Sequence, residues 1–381
     1  MKIIISPDSF KGSIQAIDAA QAINRGIKRF LPDAETILIP VADGGEGTID
    51  CLIAGSGGKI ISAAATGPLG TKLEAGYGVL EPDSTVVIEM ARTSGICLLS
   101  ADERNPLHTT TYGTGQLISD ALDAGYRKFI LAIGGSATND GGAGMLQALG
   151  MRLLDEAGET VPWGGGFLGR IAAIDDSGWD SRIAESEFLL ALDVQNPMIG
   201  PQGASHVFGP QKGATPEMAE QLDQNMTSWA NLIEAKTGIH LHDQPGAGAA
   251  GGLGGAFLAF FEAKLKRGID VVIEHSSLRQ HLTDANLVIT GEGQIDYQTA
   301  SGKTPMGIAE EARKFNVPTI AFAGSIGKGI EQLYEVGIES VHSIVNGPMS
   351  LEEAMERAPE LLEQASEQLM RSMFVKGGRF S

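Results

Sequence analysis

The sequence predicts an α/β protein of two domains, one inserted in the other, each built on a Rossmann- or flavodoxin-like parallel sheet. Three observations predict it. The 381 residues exceed the roughly 250–300 over which one hydrophobic core grows. Short β-branched apolar runs alternate with stretches of helical periodicity. That alternation breaks near Lys59 and returns near Ala263, so residues 1–58 and 266–381 are expected to form one domain and 59–265 the insert.

The elements follow in order. Ile3–Ser6 reads as a buried strand, and Ser13 is placed to cap the next helix, whose apolar face is Ala16, Ala20, Ile23, Ile27 and Phe30. "ETILIPV" is a second strand. In the insert, "KIISAAA", "LEAGYGVL" and "TVVIEMA" are short strands joined by turns; "GTGQLISDALDAG" is helical, "KFILAI" a strand, "GGAGMLQALG" a helix and "FLLALDV" a buried strand. The first pattern then resumes with "ANLVITG", a helix over "TPMGIAEEARKF", "PTIAFAG" and "SVHSIV". The C-terminal "SLEEAMERAPELLEQASEQLMRSM" is helical, with Ser350 and Glu353 spaced as a capping box and Pro359 positioned to kink it.

Composition narrows the function. Lys plus Arg number 28 and Asp plus Glu 47, a formal charge of −19. Such a field repels nucleic acid and anionic membrane surfaces, yet leaves room for a small anionic substrate held by a few local lysines and backbone amides. Cys51 and Cys97, the two cysteines, make neither a disulfide framework nor a zinc site. His240, His242, His275 and His281 lack H-E-x-x-H spacing. "MKIIISPDSF" is too short in apolar residues for a signal segment, and no run approaches the roughly 20 residues of a membrane span, so a cytoplasmic protein is expected. A homodimer is compatible with the sequence, which does not decide oligomeric state.

Glycine is the unusual residue, at 51. The glycines cluster with polar residues in loops after apparent strands: "SPDSFKGS", "DGGEGT", "GGSATNDGG", "DVQNPMIGP" and "GEGQIDYQTASGKTP". In open α/β sheets ligands bind beyond the carboxyl ends of strands. Gly134, Gly135, Ser136, Ala137 and Thr138 enter a helix and can seat phosphates on backbone N–H groups, although Walker A spacing is absent. "GAGAAGGLGGAF" either approaches an anion in the same way or lets two elements pack closely.

The loops hold Asp8, Asp43, Glu46, Asp140, Asp193, Glu292 and Asp296. A hydroxyl acceptor needs a carboxylate base, and magnesium needs carboxylate oxygens. Lys11 and Lys303 stand in small polar loops and suit a substrate carboxylate or phosphate; Lys212 in "VFGPQKGA" is similar.

Seven stretches, "SPDSFKGS", "PVADGGEGT", "GGSATNDGGAGM", "LDVQNP", "FGPQKGA", "GAGAAGGLG" and "TGEGQIDYQTASGKTP", occur in this order over nearly the whole chain. Together they resemble the bacterial glycerate kinase family, which phosphorylates the 2-hydroxyl of D-glycerate. The resemblance implies ATP and Mg2+, 2-phosphoglycerate as product, and a site between two α/β domains. It does not assign residue roles. From chemistry and loop position, Asp296 is expected as the base, Asp193 as the magnesium ligand, Lys303 as a catalytic cation, and Asp8, Ser9, Lys11 and Ser301 as substrate contacts. The alternatives are a kinase for another small hydroxy acid, a nucleotide-dependent dehydrogenase, which would want G-x-G-x-x-G where "SPDSFKGS" stands, and a ligand-binding regulator.

Overall fold

The computed structural model describes residues 1–297, 299 and 302–374; Ser301 lies outside them. The chain opens with β1 (Lys2–Ile5), α1 (Ala16–Phe30), β2 (Glu35–Leu38) and α2 (Thr48–Ser56). Next come β3 (Gly58–Thr66), β4 (Lys72–Leu80), β5 (Val86–Glu89), α3 (Ala91–Ser94), α4 (Tyr112–Asp123), β6 (Lys128–Ala132) and α5 (Ala143–Ala148). A two-stranded ribbon, β7 (Arg152–Leu154) and β8 (Ala173–Asp175), precedes β9 (Glu187–Ala191), α6 (Ala204–Phe208), α7 (Pro216–Thr237), α8 (Leu253–Phe260) and β10 (Lys264–Lys266). The remainder is α9 (Gly268–Glu274), α10 (Leu278–Leu282), β11 (Leu287–Ile295), α11 (Thr304–Arg313), β12 (Thr319–Ile326), α12 (Glu331–Glu335), β13 (Ile338–Ser343), α13 (Leu351–Glu356) and α14 (Ala358–Met373).

The chain divides into two compact units: residues 1–43, 50–56 and 268–381, and residues 44–49 and 57–267. The first holds a parallel sheet in the order β13-β12-β11-β1-β2. Alternation along the strands splits its side chains between two faces. Ile3, Ile5, Leu287, Ile289 and Phe322 pack with Ile23, Ile27, Leu361 and Met370 of α1 and α14. Ala321, Ala323 and Ile295 pack with Ala309 of α11 and Leu333 of α12. A sheet covered on both faces has its carboxyl-end loops as the accessible edge.

The second unit holds a sheet in the order β10-β9-β6-β5-β4-β3. β10, β9, β6 and β5 run parallel, whereas β3 and β4 pair antiparallel with each other and β4 with β5. The sheet is therefore mixed, because "KIISAAA" to "TVVIEMA" are joined by turns too short for parallel crossovers. Phe129 and Phe188 face each other in register and stack at 4.8 Å. They belong to a core that includes Tyr77, Trp229 and Phe257.

Three local expectations change. The N-cap of α1 is Gln15, not Ser13, whose hydroxyl instead donates to the Met355 carbonyl at 2.6 Å. The C-terminal helix is not kinked but split at Arg357, with Pro359 in the first turn of α14, where a missing N–H costs nothing. Ser350 caps α13 by accepting from Glu353 N at 3.1 Å. The 22-residue α7 had no counterpart in the sequence reading, although Thr215 caps it and Pro216 opens it.

Candidate active site

In the first unit, β1 and β11 are neighbours, and their carboxyl ends deliver "SPDSFKGS" and Glu292 to one place. Asp8 N donates to the Gly291 carbonyl at 2.8 Å, which ties the first loop to β11. Asp8 is buried. Its Oδ2 accepts from Thr304 Oγ1 at 2.6 Å and its Oδ1 from Ser9 N at 2.6 Å. Burial, then the charge of Asp43, push its carboxyl up to about 7, against the Thr304 bond and Lys11. Lys11 Nζ donates to Asp43 Oδ2 at 2.6 Å, with the lysine side chain 73% exposed. Crowding by neighbouring atoms pulls that ammonium down, but Asp43, then Asp8 and Glu292, outweigh it and hold it above the ordinary lysine range.

Glu292 accepts from Thr299 Oγ1 at 2.5 Å. Its carboxyl is raised by burial, against the Thr299 bond and the charges of Lys303 and Lys11. Asp296 joins through the same threonine: its N–H donates to Thr299 Oγ1 at 3.3 Å, and Gln294 Nε2 donates to its Oδ2 at 2.8 Å. Lys303 is the N-cap residue of α11, half-buried. The first unit thus gathers Asp8, Ser9, Lys11, Asp43, Glu292, Asp296, Thr299, Lys303 and Thr304. Glu292 and Asp43 are more central than their place in the sequence suggested. Thr299 and Thr304 gave no signal beyond lying in a glycine-rich loop.

In the second unit the glycine loops meet backbone to backbone. Gly134 N donates to the Gly44 carbonyl at 3.2 Å, and a Cβ on Gly134 would lie 2.7 Å from Gly45 Cα. Gly44, at φ +83, would place a Cβ 3.0 Å from the carbonyl of Ala191, the last residue of β9. Asp193, half-buried, comes two residues later.

Gly135 is the exposed residue of its loop; Ser136, Ala137 and Thr138 are buried. Ala137 N is taken by the Ser94 carbonyl. Beneath lies Lys212, 2% exposed, whose Nζ donates to Ser136 Oγ at 2.8 Å and to the Thr138 carbonyl at 2.6 Å. Burial pulls its ammonium down to about 7, against the charge of Asp140. Two hydrogen-bond acceptors suit a neutral amine, which has two N–H donors. Thr138 Oγ1 and Asn139 Oδ1 are buried without a hydrogen-bond partner.

Asp140 serves the loop. It accepts from Thr111 N and Oγ1 at 2.8 Å each and from Gly142 N and Gly144 N at 3.3 Å. Burial still raises its carboxyl above the ordinary range, against those bonds. The stretch "GAGAAGGLGGAF" proves to be a packing device. A Cβ on Gly251 would lie 2.0 Å from the Thr138 carbonyl, and one on Gly252 2.9 Å from Gly141 Cα. Glu89 was missed. It is buried at the end of β5, accepts from Ile49 N at 2.7 Å and pairs with Arg92 at 3.0 Å. An acidic residue closing an apolar run was the available signal.

A glycine-rich loop at strand ends in one α/β unit and a lysine–carboxylate cluster in the other are the groups a small-molecule phosphotransferase would use. A family model described as the glycerate kinase family matches residues 3–374. The chain is 51% identical to a glycerate kinase of Bacillus subtilis (strain 168), over 98% of this chain and all of that protein. It is 45% identical to a glycerate 2-kinase of Escherichia coli (strain K12), over 98% of both chains. A crystal structure from Salmonella typhimurium LT2, described as glycerate kinase 2, aligns with a TM-score of 0.83 at 45% identity, over 98% of each chain. The chain belongs to the glycerate kinase family. Among the described residues no helix is long and apolar enough to cross a membrane.

Proposed function

We propose that this chain transfers the γ-phosphoryl group of ATP to the 2-hydroxyl of D-glycerate, releasing ADP and 2-phospho-D-glycerate. The observation that carries the reading is the first-unit cluster, where Lys11 pairs with Asp43 at 2.6 Å and the charges of Lys11 and Lys303 both bear on the raised carboxyl of Glu292. A hydroxy acid needs a cation for its carboxylate and a proton acceptor for its hydroxyl, and this cluster offers both chemistries. The names of the relatives favour glycerate over other hydroxy acids. Mixing ATP, magnesium and D-glycerate should release ADP, and phosphorus NMR should find the phosphate on carbon 2. Phosphorylation on carbon 3, or turnover only with another hydroxy acid, would replace this reading. A nicotinamide absorbance change without ADP would favour the dehydrogenase.

The second unit supplies the nucleotide contacts. Gly135 forms the accessible lip of the loop with half-buried Gly134 beside it, and the buried Ser136, Ala137 and Thr138 support it from below. Gly135 has φ +77, and a Cβ there would meet only Ala91 Cβ at 3.4 Å. Gly135→Val is thus strained but not crowded. It should raise the ATP KM strongly while the fold survives; unchanged ATP kinetics would sink the assignment.

Lys11 and Lys303 hold the charged ends of the substrates. Removing either should cost about 2–4 kcal/mol in kcat/KM, the size of one preorganised donor. Near-wild-type kinetics in both alanine variants would put these lysines outside the reaction.

Carboxylate oxygens are the donors magnesium takes. Asp8 and Asp43 bring carboxylate oxygens together in the first unit, and Asp193 adds a half-buried carboxylate in the second, donors of the kind a hard dication takes. When bound, the ion would neutralise phosphate charge. Asp193 is assigned to hold it and Asp296 to accept the hydroxyl proton. Asp8 is the second reading for the base, because a carboxyl near 7 matches the operating pH. Asp296→Asn should lose kcat at every magnesium level, and Asp193→Asn should recover with excess magnesium. If Asp8→Asn instead abolishes the acid limb of the kcat pH profile while Asp296→Asn stays active, Asp8 is the base. A cytoplasmic setting, where ATP and magnesium are abundant, goes with this reading.

A further inference from the structure

The C-terminal end of α7 and the turn after it carry a cluster outside the candidate active site. Glu234 lies in the last turn of the helix, Gly238 closes it at φ +76, and His240 and His242 follow. His240 Nδ1 is 3.0 Å from Glu234 Oε1, and His242 Nδ1 is 3.8 Å from Glu234 Oε2. The three residues can each bring one ligand atom within 4.8 Å of the others. The two imidazoles stack at 4.4 Å with their planes 19° apart, so the exposed His240 ring must turn for both in-plane lone pairs to reach one ion.

We propose that Glu234, His240 and His242 bind a first-row transition dication of the zinc type. Bonds of about 2.0–2.1 Å at a tetrahedral centre put neighbouring ligand atoms roughly 3.3 Å apart, and the two imidazole–carboxylate spacings, one to each Glu234 oxygen, fall on either side of that value. The protonation pattern agrees. His242 Nε2 faces the carbonyl oxygen of Asn231 at 2.7 Å, an acceptor, so Nε2 carries the proton and Nδ1 the lone pair. That Nδ1 is buried without a hydrogen-bond partner and looks toward a carboxylate oxygen. Two acceptors facing each other call for a cation between them. His240 Nε2 likewise has the Asp243 carboxylate at 3.4 Å. Each imidazole thus turns its far nitrogen to an oxygen, the arrangement that orients metal-bound histidines.

Two imidazoles and one carboxylate select zinc, nickel or copper over magnesium, which prefers oxygen alone. His240 and Glu234 are 53% and 42% exposed, which leaves a fourth position for water. The ion would clamp the end of α7 to the turn at 240–243. Sequence spacing hid the site, because the third ligand sits on the helix and only the turn at Gly238 brings it beside the histidines.

The test uses the full chain, stripped with a chelator and held in excess magnesium so that hard-oxygen sites stay filled. Zinc is then titrated in competition with a chromophoric chelator. Wild type should take up one zinc per chain and melt at a higher temperature with zinc than without. His240→Ala, at an exposed position, and Glu234→Gln, at a half-buried one, should each weaken zinc by more than the roughly 10–100-fold that loss of an outer-shell partner costs, and should lose the zinc-dependent rise. Cobalt(II) should give the intense visible bands of a tetrahedral site in wild type alone. Equal zinc uptake by wild type and both variants, or no uptake by wild type at about 100 μM zinc, well above the range of structural sites, would overturn the proposal.

Discussion

At Asp8, burial and the Asp43 carboxylate both favour the protonated acid, so its carboxyl sits at about 7 against an ordinary 3.8. Between those values the folded chain keeps a proton that the unfolded chain has released. Stability is therefore lost as pH rises from about 4 through 7. Asp8→Asn removes that loss. Relative to wild type it should gain stability with rising pH, by no more than about 4 kcal/mol at pH 8, in denaturant titrations across that range. A difference that stays flat with pH would mean that Asp8 is ionised throughout. Lys212 has the opposite sign. Its ammonium falls from 10.5 to about 7, so between those values the unfolded chain binds the extra proton and stability grows as pH rises. Lys212→Met keeps the volume but strips two donors from Ser136 and Thr138. It should cost about 1–3 kcal/mol and abolish the stabilisation above pH 7.

Among the elements, α1 and α14 meet more closely than side chains would allow. A Cβ on Gly26 would lie 2.1 Å from the Glu363 carbonyl and 2.8 Å from Ser366 Cβ. The helices are held there by Ile23, Ile27, Leu361 and Met370, with Arg25 paired to Glu363 at 2.9 Å. Gly26→Val must push α14 off the sheet. It should lower stability by about 1–3 kcal/mol or more, the range of overpacked cores, read as a drop in Tm. A Tm within a degree of wild type would show that α14 can shift freely. The amphipathic face of α1 was legible because helical spacing is a local property. Its cap was not, because the Ser13 hydroxyl finds Met355, hundreds of residues away, before it finds the helix end.

For the whole molecule, the two sheets are built from separate stretches of chain. All the strands of the mixed sheet, and the core behind Phe129, Trp229 and Phe257, fall within residues 57–267. That stretch alone should melt cooperatively with the circular dichroism of a mixed α/β fold. It should be less stable than in the full chain, since it lacks the Ile49 N–H that Glu89 accepts. A non-cooperative melt would show that the insert depends on the rest of the chain. The formal charge of −19 bears on this molecule as a whole, and Lys11, Lys212 and Lys303 are local exceptions inside it.

The strands, the glycine loops at their carboxyl ends and the kinship carried by seven motifs were readable in the sequence, because each depends on residues a few positions apart. The roles of the loop aspartates were not. Asp8 and Asp140 look alike on paper, an aspartate among small polar residues beyond an apolar run. In the fold Asp140 receives four hydrogen bonds from Thr111, Gly142 and Gly144, whereas Asp8 meets the charge of Asp43. Lys212 likewise reads as a loop lysine and is buried under Ser136 and Thr138. The sequence determined which groups are present near each strand end. Tertiary structure decided their charge and partners, because burial and hydrogen-bond supply come through space from residues far along the chain.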